Sequence, residues 1–394
     1  MKKYLFVIPS FHYGGTVSSL KNILPWLKEQ GHVVDVFAIT NSGPNYDQIA
    51  KYANILGTRL ESDGNTKGIK TSLKTNLHKF LFQCIKRTKK QLCKIGIDIS
   101  NIAFKTIVKK LQEGKYDAVI AFQEGQPTRF VSLFRNVRRI AWVRCDYGNM
   151  LKIYKGKPQH NVYSNIDQIV CVSEYTKEVF TKLLPETKDK IIALHNLIDT
   201  ERIKKGAAEN VQLDKRFAFN GFRIVSLGRL DPVKQFSLIP GIAKQLVDKG
   251  CRFKWFILGG KTDDNEYCLL LNNIQRFNVA DCVLLLGEKN NPYPYIHLSD
   301  LVVCTSLSEA CPNVINEAKI LHTPVVSTNF GSAKEFITNG IDGFIEPIET
   351  IGEKIEIMIK EKVEYDRIKN TILCFDYDNK EIINMITNVL LIKN

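Results

Sequence analysis

The sequence lacks the features that mark several classes of protein. Its 394 residues include no apolar run near the roughly 20 residues that a membrane-spanning helix needs. Its 10 cysteines form no C-x-x-C pair, and its 7 histidines are dispersed. This pattern argues against a zinc site or a disulfide framework and is typical of a protein with reduced thiols. We therefore expect no transmembrane helix and no tightly bound metal.

The amino-terminal residues lack the long apolar core of a signal peptide. Lys2 and Lys3 precede the run Tyr4–Ile8, which is short and is followed by Pro9. A signal peptide has an apolar region of about 7–15 residues. We interpret this run as a first β-strand and expect a cytoplasmic protein, with peripheral attachment to the inner face of the cell membrane left open.

Positive charge, in contrast, is abundant and unevenly distributed. The formal net charge is +14, and residues 61–115 hold 13 Lys and Arg against 4 Asp and Glu, a net of +9. Apolar residues interleave with the basic ones at close to helical spacing. Two interpretations stay open: an ordinary domain helix with a solvated lysine face, or a basic amphipathic helix that docks on an anionic membrane surface. No nucleic-acid partner is expected, because no known motif accompanies the charge.

Strand-like apolar runs alternate with helical patterns along the whole chain. Strands that alternate with helices form parallel sheets through right-handed crossovers, and here the pattern occurs twice. The sequence predicts an α/β protein with domains over residues 1–200 and 201–374, the polar Thr200–Gly221 as linker, and a last helix over 375–394. The predicted strands are Lys3–Ile8, Val33–Ile39, Asp117–Phe122, Arg139–Val143, Gln168–Val172, Ile191–Leu194, Arg223–Leu227, Phe253–Leu258, Cys282–Leu286, Leu301–Cys304 and Pro324–Ser327.

Two glutamates near the predicted strand Leu301–Cys304 are the most informative residues of the chain. Pro312 suits the first turn of a helix, so a helix should begin near Pro312–Asn313. Glu309 then lies in the loop before this helix and Glu317 lies within it. A helix N-terminus offers free N–H groups to phosphate, whereas carboxylates repel phosphate and suit hydroxyl groups. The segment therefore suits a ligand with a diphosphate at the helix N-terminus and hydroxyl groups on both sides of it. A nucleotide sugar has this arrangement.

Two further loops follow predicted strands and suit the same ligand. Arg229 offers a forked donor and Lys234 a compact charge, and both groups bind phosphate oxygens. Gly14 and Gly15 would let the backbone approach a ligand closely, although they also fit a simple tight turn. Ligands of open parallel sheets bind beyond the carboxyl ends of the strands. We therefore expect Gly14, Arg229 and Glu309 to surround one cleft between the domains.

In order and spacing, these segments resemble the retaining nucleotide-sugar glycosyltransferases of family four. The resemblance rests on Gly14-Gly15, Arg229 with Lys234, and Glu309 with Glu317. It implies the GT-B fold, in which two Rossmann-like parallel-sheet domains face each other across a deep cleft and the C-terminal helix packs back onto the first domain. Further matching segments are Val170-Cys-Val-Ser173, His195-Asn-Leu-Ile-Asp199, and Thr328-Asn-Phe-Gly-Ser-Ala-Lys-Glu335 followed by Gly340 and Gly343.

The resemblance also implies an activity. The expected enzyme is a retaining, metal-independent hexosyltransferase that needs no cofactor. Its donor is a nucleoside-diphosphate sugar, with uridine as the expected base. For the acceptor, the basic segment 61–115 and the expected cytoplasmic location indicate an oligosaccharide or a lipid-linked saccharide in the biosynthesis of capsule, exopolysaccharide or lipopolysaccharide.

The roles of individual residues follow from the same resemblance. Glu309 would contact hydroxyls of the transferred sugar or stabilise positive charge at its anomeric carbon, and Arg229 and Lys234 would bind the diphosphate. These three are the expected catalytic residues, and Glu317 would bind the ribose. Gly287 would contact the base through its backbone. The N–H groups expected to face sugar and phosphate belong to the segment Cys311, Pro312, Asn313 and Val314, in which proline itself contributes none.

Two positions depart from the family pattern. Where family members often have histidine, this chain has Arg144, which cannot act as a base near neutral pH and would instead hold phosphate or acceptor. Asp146 nearby would contact an acceptor hydroxyl. Where the family often has glycine, this chain has Ala310, which would be strained if the backbone there required a positive φ.

Two other functions fit the same architecture. One is a nucleotide-sugar 2-epimerase, which carries different acid–base residues and needs no acceptor. The other is a non-catalytic nucleotide-sugar-binding component of a polysaccharide assembly complex. The presence of Arg229, Lys234, Glu309 and Glu317 argues against the non-catalytic component, and the epimerase stays open as an alternative.

Overall fold

The computed structural model describes residues 1–12, 14–57 and 99–391. Most of the basic segment 61–115 lies outside these residues, and with it the prediction of a membrane-docking helix. The helix Ile99–Leu111 is the described part of that segment. The chain forms two compact units, the first comprising Met1–Val172, Lys177–Leu194 and Asn384–Asn394, the second Ser173–Thr176 and His195–Ile383.

The first unit contains a seven-stranded sheet in which every neighbouring pair is parallel. Its order is β3-β2-β1-β4-β5-β6-β7. The neighbours β1 and β4 are therefore not consecutive in the chain. The strands are β1 (Lys3–Ile8), β2 (Val33–Ala38), β3 (Asn54–Leu56), β4 (Ala118–Ala121), β5 (Arg138–Val143), β6 (Gln168–Cys171) and β7 (Ile191–Ala193).

The second unit repeats this architecture with six parallel strands in the order β10-β9-β8-β11-β12-β13. The direction of the strand order reverses between β8 and β11, which is where open parallel sheets bind their ligands. The strands are β8 (Phe222–Leu227), β9 (Phe253–Leu258), β10 (Val283–Gly287), β11 (Leu301–Cys304), β12 (Val325–Thr328) and β13 (Phe344–Glu346).

Helices connect the strands in both units. None of the helices in the described part of the chain has the length and apolar character to cross a membrane. The α-helices are Gly15–Glu29, Tyr46–Ala50, Ile99–Leu111, Gln126–Val131, Tyr147–Ile153, His160–Tyr163, Glu174–Leu183, Thr200–Ala208, Ile239–Asp248, Asp264–Arg276, Tyr293–His297, Asn313–Ile320, Ala333–Phe336, Ile351–Lys360, Lys362–Leu373 and Asn379–Leu391.

Both sheets are buried on their two faces. In the second sheet, Ile224 and Val225 are both fully buried but belong to different apolar clusters, because successive side chains of a strand point to opposite faces. Parallel strands covered on both sides are expected to be continuously apolar. This burial explains why the strands are recognisable in the sequence as apolar runs. The packed sheets also support the loops at the carboxyl ends of the strands.

All of the predicted strands are present, with ends within one residue of those expected. The two short strands that were not predicted, Asn54–Leu56 and Phe344–Glu346, lie at sheet edges, where a strand has only one partner and carries a shorter apolar run. The segment Thr200–Gly221, predicted to be a linker, instead contains the helix Thr200–Ala208. Its polar residues are the exposed side of this helix, which buries Ile203.

Candidate active site

Lys234 folds back over the carboxyl end of β8. A Cβ on Gly228 would lie 2.9 Å from Cε and 3.2 Å from Cδ of Lys234, so the lysine stem lies directly over the glycine. Gly228 also has a φ of +154°, outside the range that most side chains adopt. The Asp231 carboxylate shapes the turn by accepting from the N–H groups of Val233 at 3.1 Å and Lys234 at 3.2 Å.

The ammonium of Lys234 pairs with the carboxylate of Glu309, which follows β11. Both side chains are largely buried, with 18% and 16% of their surface exposed. The hydroxyl of Ser306 donates to the same oxygen of Glu309 at 2.7 Å. Burial alone would lower the pKa of Lys234, but the neighbouring Glu309 outweighs this effect and the pKa is raised. The structure thus brings two predicted catalytic residues into contact and keeps the lysine charged.

Arg229 lies in the same turn and is more exposed. Its guanidinium pairs with Asp231 at 3.1 Å, and 57% of its side chain is accessible. Asp231 therefore contacts both cationic residues of the loop, Arg229 through its side chain and Lys234 through its backbone. Diphosphate binding by Arg229 stays a prediction.

The helix Asn313–Ile320 begins where the sequence predicts, with Pro312 as the residue before its first turn. The N–H of Ile315 bonds to the carbonyl of Pro312 at 3.1 Å. Those of Asn313 and Val314 donate to no acceptor among the described residues. Free N–H groups in the first turn of a helix, together with the helix dipole, favour an anion. Cys311, in the loop before them, is partly buried.

Glu317 lies one turn further along this helix and is partly buried. Its carboxylate accepts no hydrogen bond from the residues that the structure describes. Burial raises its pKa to about 7, although the nearby guanidinium of Arg202 acts in the opposite direction. Arg202 also donates to the hydroxyl of Tyr293 at 3.2 Å. A carboxylate in this setting can accept hydrogen bonds from ligand hydroxyls.

Sequence reasoning missed Arg202 and Tyr293. Arg202 lies in the segment that was assigned to a linker, three residues after Asp199, whose carboxylate caps the helix Thr200–Ala208. An aspartate just before a segment with an acidic residue in its first turn, here Asp199 and Glu201, is the signal that would have indicated a helix there.

A glycine lies at the carboxyl end of three neighbouring strands of the second sheet: Gly228 follows β8, Gly259 follows β9, and Gly287 is the last residue of β10. The N–H of Gly228 bonds to the carbonyl of Leu258, and that of Gly259 to the carbonyl of Gly287, each at 3.0 Å. A Cβ on Gly259 would lie 1.6 Å from the carbonyl oxygen of Gly228, so no other residue fits. Around Gly287 nothing lies within 4 Å of a Cβ position, which leaves room for the predicted base contact. Sequence reasoning missed Gly259, although it directly follows a predicted strand as Gly228 does.

Gly14 and Gly15 occupy an open position in the first unit. They follow β1, and Gly15 begins the helix Gly15–Glu29. A Cβ on either would meet nothing within 4 Å. Close by, Thr16 donates to Gln123 at 2.9 Å, which connects this helix start to the end of β4. The space suits close approach of a ligand to the backbone, and that role stays a prediction.

Arg144 and Asp146 follow β5, and both have structural contacts. The Arg144 guanidinium lies 4.1 Å from the centre of the Phe122 ring, and the Arg144 N–H donates to Glu124 at 2.8 Å. Asp146 is 6% exposed and caps the helix Tyr147–Ile153, accepting from the backbone and side chain of Asn149. Their acceptor-binding roles stay predictions beside these structural ones.

Ala310 is buried and does not have a positive φ, so the strain considered for this position does not arise. Across the described ranges, no group of three or more His, Cys, Asp and Glu residues is placed to hold a metal ion.

Comparison with known proteins identifies both halves of the chain. A family model described as Glycosyltransferase Family 4 matches residues 13–202, and one described as Glycosyl transferases group 1 matches residues 213–372. An uncharacterised glycosyltransferase of Methanocaldococcus jannaschii is 26% identical over 242 residues, which are 57% of this chain and 58% of that protein. The match thus spans little more than half of that relative's length.

A second relative matches over more of its length. It is the N-acetylgalactosamine-N,N'-diacetylbacillosaminyl-diphospho-undecaprenol 4-alpha-N-acetylgalactosaminyltransferase of Campylobacter jejuni, 26% identical over 294 residues, 74% of this chain and 73% of that protein.

Solved structures show the fold. The crystal structure of Anabaena HepE in complex with UDP-glucose matches with a TM-score of 0.72 at 16% identity, over 99% of each chain. The GT-B class predicted from the sequence is confirmed by this likeness and by the two parallel sheets. The chain belongs to the glycosyltransferases, with a family 4 part over residues 13–202 and a group 1 part over residues 213–372.

Proposed function

We propose that the protein transfers a hexose from a UDP-sugar to a lipid-linked saccharide during the biosynthesis of a cell-surface polysaccharide. The observation that carries this proposal is the pairing of Lys234 with Glu309 between the ends of β8 and β11. The free N–H groups at the start of the helix Asn313–Ile320 follow on the same loop. A cation, a carboxylate and a helix N-terminus together suit a sugar joined to a diphosphate.

The cationic groups would stabilise the leaving group. When the anomeric C–O bond of the donor breaks, negative charge grows on the departing diphosphate, and preorganised positive groups lower that barrier. Lys234, Arg229 and the N–H groups of Asn313 and Val314 would supply this stabilisation. We therefore propose that the reaction needs no metal ion and no cofactor.

Glu309 and Glu317 would bind the two sugars of the donor. The carboxylate of Glu309 neutralises Lys234 in the structure. A bound diphosphate would compete for this ammonium, and Glu309 would then accept hydrogen bonds from hydroxyls of the transferred hexose. Glu317, which accepts no hydrogen bond within the described chain, would bind the ribose hydroxyls.

We also propose retention of the anomeric configuration. The acceptor oxygen would form its bond to the anomeric carbon on the face from which the diphosphate departs. The proton of the acceptor hydroxyl would pass to an oxygen of the leaving diphosphate. No side chain is then needed as base, which agrees with arginine rather than histidine at position 144.

The nature of the acceptor is supported by similarity and by charge. The name of the Campylobacter jejuni relative describes transfer to a saccharide on diphospho-undecaprenol. In this chain, residues 61–115 carry a net charge of +9, which suits an anionic membrane surface at which such an acceptor is presented. We accordingly place the protein at the cytoplasmic face of the cell membrane, with Arg144 and Asp146 contacting the acceptor.

A donor screen tests the proposal. The protein is incubated with a panel of UDP-hexoses, with and without EDTA, and the products are followed by NMR. We expect slow hydrolysis of one donor, at a rate that EDTA does not change. The released sugar should at first have the same anomeric configuration as the donor. Inverted product would contradict retention, and loss of activity in EDTA would contradict metal independence. Epimerised donor, or tight binding without turnover, would favour the two rival functions.

A further inference from the structure

The loop from Glu309 to Asn313 carries both the carboxylate and the helix start of the candidate site. Within the proposed function, on which this inference rests, its shape sets the distance between the group that binds the hexose and the N–H groups that bind the diphosphate. Two residues outside the loop form hydrogen bonds to its two ends, Glu309 and Asn313. Both lie elsewhere in the chain and reach the loop through the fold.

Ser332 holds the first end. Its side chain is fully buried, and its hydroxyl donates to the backbone carbonyl of Glu309 at 2.9 Å. This contact fixes the backbone from which the Glu309 side chain extends towards Lys234. The carboxylate of Glu309 is bound separately, by Lys234 and Ser306.

Asn196 holds the second end. Its side-chain NH₂ donates to the side-chain oxygen of Asn313 at 2.8 Å. Asn196 is 6% exposed, and its backbone carbonyl accepts a hydrogen bond from the hydroxyl of Tyr377 at 2.7 Å. The side-chain oxygen of Asn313 is thereby bonded to Asn196, which holds the first residue of the helix Asn313–Ile320 in place.

The segments that contain Ser332 and Asn196 also contact each other. His195, next to Asn196, contacts the carboxylate of Glu335, three residues after Ser332, at 3.1 Å. Glu335 is held in turn by the N–H groups of Glu174 and Tyr175, each at 2.8 Å. Burial alone would raise the pKa of Glu335, but these donors, with His195 first among them, lower it. The loop is therefore held between two segments that fix each other.

We propose that Asn196 and Ser332 are positioning residues for donor binding. They act through Asn313 and Glu309 by holding the ends of the loop at the separation that a nucleoside diphosphate sugar requires. Sequence reasoning placed both residues in segments that match the family but assigned neither of them a role.

The first experiment compares two buried serines by calorimetric titration with the UDP-hexose that the donor screen identifies. Ser332→Ala removes the bond to Glu309, and Ser299→Ala is the matched control, because Ser299 is 4% exposed and donates to the carbonyl of Tyr295 at 2.7 Å, before β11 begins. We expect a similar fall in melting temperature for both variants, since each loses one buried hydrogen bond. Affinity for the UDP-hexose should fall about tenfold in Ser332→Ala only. Equal affinity for the UDP-hexose in the two variants would overturn the role of Ser332.

The second experiment tests whether Asn196 acts through Asn313. Asn196→Ala, Asn313→Ala and the double variant are titrated with UDP and melted. We expect each single variant to bind UDP about tenfold more weakly, and the double variant to bind no more weakly than Asn313→Ala. Additive losses, or Asn196→Ala with wild-type affinity, would overturn the inference while the proposed function stands. A wild-type protein that does not bind UDP would overturn both.

Discussion

The ammonium of Lys234 donates to the carboxylate of Glu309, although 75 residues separate them in the chain. The contact arises because β8 and β11 are neighbours in the sheet, so the loops that follow them meet at one edge. An ion pair that is largely shielded from water is preorganised, and a diphosphate entering the site finds the lysine already charged and in place.

Removal of the Lys234 charge should therefore reduce turnover. We expect Lys234→Ala and Lys234→Met to lower kcat by about 10²–10³, or ~3–4 kcal/mol, on the scale of losing one oxyanion-type donor. Lys234→Met keeps the apolar stem over Gly228, so equal losses in both variants would assign the effect to the charge. Lys261→Ala is a control, because that lysine pairs with Asp264 at the surface. Nearly unchanged turnover in Lys234→Met would rule out the leaving-group role.

Arg229 should contribute to turnover without contributing to stability. It is exposed and paired with Asp231, and exposed ion pairs add only ~0–1 kcal/mol to stability. We expect Arg229→Ala to leave the melting temperature almost unchanged and to lower kcat/KM for the donor by about 10- to 100-fold, as for one charge-assisted hydrogen bond. Arg216→Ala removes a similar exposed pair, with Asp214, away from the loop. If the two variants have the same kcat/KM, Arg229 does not bind the donor.

The glycines at the strand ends should respond to alanine in a graded way. Gly259→Ala would place a Cβ 1.6 Å from a backbone oxygen, and we expect it to prevent stable folding. Gly228→Ala meets only the flexible stem of Lys234. It should cost about 1–2 kcal/mol for the unfavourable φ and reduce kcat by displacing the lysine. The measurements are melting curves and turnover of each purified variant.

Gly250→Ala is the control for the backbone effect, because Gly250 also has a positive φ, +74°, but its Cβ would meet nothing within 4 Å. It should lose stability like Gly228→Ala and keep full turnover. If Gly228→Ala also kept full turnover, the position of the lysine stem over that glycine would not matter for catalysis.

The sequence predicts the parts of this site that depend on local pattern. The start of the helix at Asn313 follows from proline chemistry, and the positions of Arg229 and Glu309 follow from the buried strands before them. What it does not predict are contacts between residues far apart, such as Asn196 with Asn313 or Ser332 with Glu309. These residues have no periodic or charge signature of their own, and only the packed fold assigns them partners.

The missed contribution of Arg202 has the same cause. A polar segment with few apolar residues is typical of a linker, yet the helix Thr200–Ala208 buries Ile203 and Gly206 and contacts the helices Tyr293–His297 and Asn313–Ile320. Its guanidinium then lies close enough to Glu317 to influence the pKa of that carboxyl.

The raised pKa of Glu317 predicts opposite effects of pH on stability and on donor binding. Burial raises this pKa from 4.5 to about 7, so the folded protein holds the proton more tightly than the unfolded chain. The stability linked to Glu317 is fully present below about pH 4.5 and is lost as the pH rises through about 7. We expect the melting temperature of Glu317→Gln to exceed that of the wild type by an amount that grows as the pH rises from about 5 to about 8. The reason is that the amide does not titrate.

Binding of UDP-glucose should change in the other direction. Only the charged carboxylate accepts hydrogen bonds on both oxygens, so wild-type affinity should increase between about pH 6 and pH 8. Glu317→Gln should bind UDP-glucose more weakly, with no such dependence. Glu349→Gln, a change at an exposed position, should leave both curves as in the wild type. A pH profile for UDP-glucose that is the same in Glu317→Gln and in the wild type would remove Glu317 from the ribose site, because its charge would then contribute nothing to binding.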